Sequence, residues 1–263
     1  MSTLSRRLSC VAGMVTPGNR VADIGTDHAF LPILLVQEKK IPSAIAMDIG
    51  EGPLSRAREH IEKEKLTKQI ETRLSDGLSA LCLNEADSIV IAGMGGSLIT
   101  RILTEGRDKL SSVKELVLSP QSEVPLVRNH LIKSGFYIDK EAFIEDVGKY
   151  YSVFHVCVKH DDRSWSTEEL SFGKLPLYEG NETLRQFLTE RITQKEALYQ
   201  CLTERITPKE ALTERITPKK ALYQSLKENE SGSKERTERR VLELEEELLC
   251  MKNTLQRLQE VCS

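Results

Sequence analysis

Aromatic residues are scarce in this chain of 263 residues: one Trp, six Tyr and six Phe make up 5% of it, while charged residues reach 29%. That balance suits a globular domain joined to a long solvated helical segment, not one large core throughout. The six cysteines (Cys10, Cys82, Cys157, Cys201, Cys250 and Cys262) form no C-x-x-C pair and show no recognisable zinc spacing with the five histidines. Buried or free thiols are therefore expected, and no metal. No stretch of about 18 apolar residues exists, and Arg6 and Arg7 are not followed by an apolar run of signal length. The expectation is a cytoplasmic protein without a membrane segment. Bulk charge of one sign is absent too: residues 1–160 hold 20 Lys+Arg against 20 Asp+Glu, and the remainder holds 17 against 20. A nucleic-acid partner is not announced by net charge and would need a local basic face.

What the chain does have is 39% hydrophobic residues, enough for a real core. Leu4, Leu8, Val11, Ala12 and Val15 fall at helical spacing until Pro17-Gly18-Asn19 interrupts them. Short apolar runs follow at Val21–Ile24, Ala44–Ile49, Ile89–Ala92 and Leu116–Leu118, with a weaker alternating run at Ile70–Leu74, and helix-like stretches separate them. Such alternation predicts a parallel sheet covered by helices, because parallel neighbours need crossover connections. Phe136–Ile144 and Tyr151–Val158 leave no room for a helix and carry Asp146-Val147-Gly148 between them, so they predict an antiparallel hairpin. The fold class is α/β: a Rossmann-like sheet, parallel with an antiparallel final hairpin.

Beyond about residue 165 strand signals stop. The segment L-T-E-R-I-T recurs from Leu188, Leu202 and Leu212, and Thr207-Pro208-Lys209-Glu210 has the N-cap, N1 proline and N3 glutamate of a helix start. We expect the copies to lengthen an arm. Val241, Leu244, Leu248, Met251, Leu255, Leu258 and Cys262 keep an alternating spacing of three and four residues, a coiled-coil pattern. Glu228–Gly232 (E-N-E-S-G) reads as a turn, so a monomer with an intramolecular coiled coil is expected over a dimer. The domains are predicted as 1–163, catalytic, and 164–263, a helical coiled-coil arm.

The residues that carry chemistry cluster at strand ends. In Val21-Ala22-Asp23-Ile24-Gly25-Thr26-Asp27-His28-Ala29 a strand runs through a turn into a helix, and Gly25 allows backbone to approach a ligand beside a helix N-terminus. By itself, a D-x-G after a strand is as often a plain turn. Asp48 ends the next strand 23 residues after Gly25, where it could accept hydrogen bonds from a ribose diol. Asp76, in Ser75-Asp76-Gly77 after the third strand, could accept one from an adenine amino group. A dinucleotide fingerprint would need a second glycine where Asp27 stands. A pyrophosphate would meet that carboxylate, whereas a ligand carrying a sulfonium and an ammonium tolerates it. Gly93-Met94-Gly95-Gly96 can line a cleft floor at the carboxyl end of the sheet. Ser119-Pro120-Gln121-Ser122-Glu123 could hold a base edge or be a loop with an N-cap.

Through L-S-R-R-L, A-D-I-G-T-D-H-A-F-L-P, E-G-P-L-S-R-A, D-G-L, I-A-G-M-G-G, G-K-Y-Y and the helical arm, the chain resembles the bacterial tRNA (adenine-22 N1)-methyltransferases. The resemblance implies a class I methyltransferase fold, S-adenosylmethionine as donor and N1 of an adenine in the tRNA D-arm as acceptor. It puts Asp23, Gly25, Asp48 and Asp76 on the donor, Gly93 and Met94 at its methionine end, and Arg7 on its carboxylate. Asp27, His28 and Phe30 would stand beside the target base with Tyr150 nearby. Phe30 occupies a place where many relatives have Tyr, and Ser119-Pro120-Gln121 one where many have Gln-Pro-Asn. Arg185, Arg191, Lys195, Arg205, Lys209, Arg215, Lys219 and Lys220 of the arm could follow RNA phosphates or form a solvated face. Two other readings stay open: a class I methyltransferase acting on another RNA site or a small molecule, and a non-catalytic module that binds the donor and recruits partners through its coiled coil.

Overall fold

The computed structural model describes residues 4–158, 164–206 and 232–261. Packing divides the chain into two units, Met1–Glu179 and Gly180–Ser263.

The first unit holds one seven-stranded sheet, β1 (Val21–Ile24), β2 (Ala44–Asp48), β3 (Ile70–Leu74), β4 (Ser88–Ala92), β5 (Glu115–Ser119), β6 (Tyr137–Asp146) and β7 (Lys149–Cys157), in the order β3-β2-β1-β4-β5-β7-β6. The first five strands are parallel, and β7 runs antiparallel between β5 and β6. The helices are α1 (Arg6–Met14), α2 (Phe30–Gln37), α3 (Glu51–Lys63), α4 (Gly96–Glu105), α5 (Arg107–Leu110), α6 (Val124–Lys133), α7 (Thr167–Phe172) and α8 (Lys174–Tyr178).

The central parallel strands β1, β2, β4 and β5 are mostly apolar because both sheet faces are covered, while the edge strand β3 carries Glu71, Thr72 and Arg73 in its middle. Ala22, Ile24, Ile45, Met47, Ile89, Ile91, Leu116 and Leu118 share a core with Ile99, Ile102 and Leu103 of α4 and Val127 and Leu131 of α6. Their strand neighbours Val21, Ala44, Ala46, Val90 and Val117 share the other core with Val11 and Ala12 of α1, Leu31 and Leu35 of α2, and Ala57 and Ile61 of α3. Alternate residues thus serve opposite faces. The hairpin closes through Val147 and Gly148, with φ of 51° and 72°; two positive values in a two-residue loop follow the right-handed twist of the strands.

Strand order reverses between β1 and β4, so the crevice at their carboxyl ends is where a ligand is received in such sheets. The first unit runs past residue 163 because α7 is tied to α6. The buried guanidinium of Arg128 donates to Glu141 Oε1 at 2.8 Å and to the carbonyls of Leu170 and Ser171 at 2.9 and 3.1 Å.

In the second unit α9 (Glu182–Ile206) and α10 (Gly232–Val261) are long helices. Asn181 Oδ1 caps the first by accepting from Leu184 N at 2.9 Å. Lys195 pairs with Glu247, Tyr199 with Glu245, and Lys252 with Glu196, so the two helices run antiparallel. Val241, Leu244, Leu248 and Leu258 are buried, with Met251 and Leu255 half-buried. The first L-T-E-R-I-T copy lies inside α9 without a break, and the second begins in its last turns. The helix start at Thr207-Pro208, the third copy, most of the E-N-E-S-G turn and Cys262 lie outside the described residues.

Candidate active site

After β1 the chain turns through Gly25, His28 and Ala29, whose φ values are 77°, 60° and 53°. The left-handed conformation costs a non-glycine residue about 1–2 kcal/mol. Two in succession persist only where the surroundings hold them. Here the backbone N–H groups of Gly25 and Thr26 both donate to the Met47 carbonyl, at 2.8 and 2.9 Å. A Cβ on Gly25 would lie 2.2 Å from Met94 Cε, so the two segments expected to line a cleft meet there.

The three acidic strand ends differ in surroundings. Asp23 is buried within β1, and burial, with the charge of Asp48 adding to it, pushes its carboxyl up to about 6. Asp48 is half-buried at the end of β2, its Oδ1 accepting from Gly50 N at 2.7 Å. Asp76 is exposed and pairs with Arg101 of α4 at 3.0 Å, a partner that spacing alone did not suggest.

Arg7 comes in from α1. Its backbone N–H donates to Asp146 Oδ2 at 3.1 Å, and its guanidinium lies over the Tyr151 ring, 5.3 Å from the centroid. A Cβ on Gly93 would be 3.4 Å from Arg7 Nη1 and 3.4 Å from Gln121 Nε2. Arg7 Nη1 is buried and has no hydrogen-bond partner. A buried cationic donor left open is costly, and the group that satisfies it best is a carboxylate. Ser119 Oγ, at the end of β5, is likewise buried without a partner.

On the other side of the β1 turn three rings gather. His28 and Phe30 stack at 5.2 Å with an interplanar angle of 20°, and His60 of α3 lies 5.1 Å from His28 and 5.3 Å from Phe30. His60 Nδ1 donates to the His28 carbonyl at 3.2 Å. Phe30 remains 39% exposed although it opens an apolar helix. Asp27 Oδ1 pairs with Arg56 Nη2 at 3.0 Å and lies 3.5 Å from His28 Nε2. His60 and Arg56 were not singled out from sequence; once α3 is assigned, their helical offset of four puts both on one face.

Tyr150 stacks on Phe143, with centroids 5.9 Å apart. Successive β7 residues face opposite ways, so Tyr151, and not Tyr150, reaches Arg7. On the arm, Arg185 pairs with Glu182, Lys195 with Glu247, and Arg191 lies over the Phe187 ring. These cations are matched on their own unit, as on a solvated face. The side chains of Arg205, Lys209, Arg215, Lys219 and Lys220 lie outside the described residues. Among the described residues no helix is long and apolar enough to cross a membrane.

Comparison with known proteins gives the family of the chain. The family model described as "Methyltransferase domain" matches residues 4–154. The tRNA (adenine(22)-N(1))-methyltransferase of Bacillus subtilis is 40% identical over 172 residues, covering 65% of this chain and 72% of that protein. The crystal structure of the B. subtilis m1A22 tRNA methyltransferase superposes with a TM-score of 0.76 at 27% identity, over 97% of this chain and 100% of the other. A Streptococcus pneumoniae structure in complex with S-adenosyl-L-methionine superposes with a TM-score of 0.70 at 30% identity, over 99% and 100%. The sheet order, the family match and the identity to a relative covered over most of its length place the chain in the class I methyltransferases, in the tRNA (adenine(22)-N(1))-methyltransferase family.

Proposed function

We propose that the protein transfers the methyl group of S-adenosylmethionine to N1 of adenine 22 in the D-arm of tRNA. The donor, when bound, supplies a methyl group on cationic sulfur. The N1 lone pair would attack that methyl carbon, the N–C bond forming as the C–S bond breaks, so that the neutral thioether S-adenosylhomocysteine leaves and the base carries the positive charge.

The observation that carries this reading is the buried, unpartnered Nη1 of Arg7 over Gly93. It suits the carboxylate of the donor's methionine end, and Gln121 stands beside it. Asp48 and Asp76 would take the ribose and the adenine amino group, the latter by releasing Arg101. That exchange is cheap, because an exposed pair contributes little. Asp23 lies below the turn, and Met94 would have to yield as the donor passes Gly25.

Adenine N1 carries its own lone pair, so alignment and not prior deprotonation is the main catalytic requirement. The target base must leave its stack, at a cost of a few kcal/mol. Phe30 and His28 offer an aromatic platform, and Asp27 a carboxylate that favours the cationic product. We read the protein as a cytoplasmic monomer whose arm closes on itself as a coiled coil, supported by the antiparallel contacts of α9 with α10.

Treating unmodified tRNA with the protein and labelled donor, then mapping the modified nucleoside by mass spectrometry, tests this. N1-methyladenine at position 22 is expected. Label in another nucleoside would move the acceptor and keep the enzyme class; no transfer, with the donor still bound, would favour the non-catalytic module.

A further inference from the structure

At the amino end of the parallel strands, remote from the glycine turns, Asp139 of β6 meets His155 and Cys157 of β7. A carboxylate oxygen, Nδ1 and Sγ lie within 4.8 Å of one another. His155 and Cys157 are two apart on one strand and so share a face. The register shift between Ile138 and Lys140 leaves Asp139 between them, out of step with the ladder and able to join that face. The ring is buried, while Asp139 and Cys157 are half-buried.

Behind the ring, His155 Nε2 is 2.8 Å from Glu115 Oε2. Glu115 is fixed in turn by Thr16, whose N–H donates at 2.9 Å and whose hydroxyl also bonds, and by Ser88 Oγ at 2.6 Å. An imidazole with one nitrogen held by an anchored carboxylate, and the other facing a second carboxylate and a thiol, has the arrangement by which proteins orient metal-binding histidines.

We propose that Asp139, His155 and Cys157 form a binding site for a divalent transition-metal ion of the zinc type, with Glu115 positioning the ring. Oxygen, nitrogen and sulfur together select a borderline-soft ion, and three protein ligands leave a fourth position for water. Without metal, the proton between His155 Nδ1 and Asp139 stands where the ion would be. Binding releases that proton and the one on the Cys157 thiol, leaving two anionic ligands and a neutral ring around a dication.

Metal–ligand bonds of about 2.0–2.3 Å in a tetrahedron put ligand atoms about 3.3–3.6 Å apart. The Asp139 carboxylate must therefore back away from the ring, and Cys157 Sγ, within 4.8 Å of both other ligand atoms, must settle at that spacing. The bulge and the 23% exposure of the Asp139 side chain permit the first movement. The ion would pin the β6–β7 hairpin to β5 and take no part in methyl transfer. Sequence spacing missed this site because Asp139 joins the face of His155 and Cys157 only through the register shift between Ile138 and Lys140, which a predicted hairpin does not reveal.

The test is titration of the full-length, chelator-treated, reduced protein with cobalt(II), followed by its ligand-to-metal absorption. One ion per chain with a thiolate charge-transfer band is expected. The band should vanish in Cys157→Ser and persist in the variant at exposed Cys82, Cys82→Ser. Asp139→Asn should weaken binding at least tenfold, and zinc should raise the melting temperature of the wild type but not of Asp139→Asn. Absence of the thiolate band at stoichiometric cobalt, or its survival in Cys157→Ser, would overturn the proposal.

Discussion

The terminal methyl of Met94 occupies the space a side chain on Gly25 would need: a Cβ there would stand 2.2 Å from Met94 Cε. The β1 and β4 turns are in contact, and whatever enters between them must move Met94. Gly25→Ala should lower stability by about 1–2 kcal/mol for the left-handed φ alone, with added cost for displacing Met94, and should weaken donor binding at least tenfold. Adding Met94→Ala should recover the packing part and not the backbone part. Calorimetry showing wild-type donor affinity in Gly25→Ala would remove Gly25 from the donor cleft.

Arg7 gives a second test. Arg7→Met keeps the aliphatic stem over Tyr151 while removing the unpartnered Nη1. If that group meets the donor carboxylate, donor affinity should fall by ~1.5–3 kcal/mol, the range for a hydrogen bond to a charged group. A donor analogue lacking the carboxylate should bind wild type and variant alike. An equal loss for both ligands would mean that Arg7 only holds α1 in place.

Much of this was legible in the sequence because apolar periodicity and strand-end acids are local signals. β1 and β3 fall where their runs predict, and the β6–β7 hairpin follows from the lack of room for a helix. The partners were not legible. Arg101 on Asp76, Arg56 on Asp27 and Tyr151 under Arg7 are set by which face of an element turns inward, and a one-residue difference on a strand exchanges Tyr150 for Tyr151. The extent of the first unit depended on Arg128, whose long-range bonds to α7 leave no trace in composition.

Asp23 gives a pH-dependent prediction. Burial raises its carboxyl from 3.8 to about 6 in the folded protein, so the fold binds the proton more tightly than the unfolded chain. Stability from this group is therefore full below the unfolded value and is lost as pH rises through about 6. The shift corresponds to roughly 3 kcal/mol. Asp23→Asn should make the donor-free protein more stable than wild type at pH 7, with the advantage shrinking towards pH 4. Denaturant melts at the two pH values decide it, and a pH-independent difference would show that Asp23 is not the group titrating.

The last prediction concerns the ring cluster. Phe30 is exposed at 39% yet held by His28 at 5.2 Å and His60 at 5.3 Å, so it is a preorganised apolar surface facing solvent. If the flipped adenine stacks there, Phe30→Ala should slow transfer by the ~1–3 kcal/mol that one base stack contributes, with donor affinity unchanged. Phe30→Trp should retain most of the rate. His60→Ala removes the bond to the His28 carbonyl and with it the support of the platform, so it should act in the same direction and less strongly. Asp27→Asn should lower the rate constant of transfer more than tRNA affinity, because the base becomes a cation beside it only as the methyl group arrives. Single-turnover rates with saturating donor separate these effects. Equal rates in Phe30→Ala and wild type would place the target base elsewhere, while a loss confined to donor binding would reassign the cluster to the donor side of the cleft.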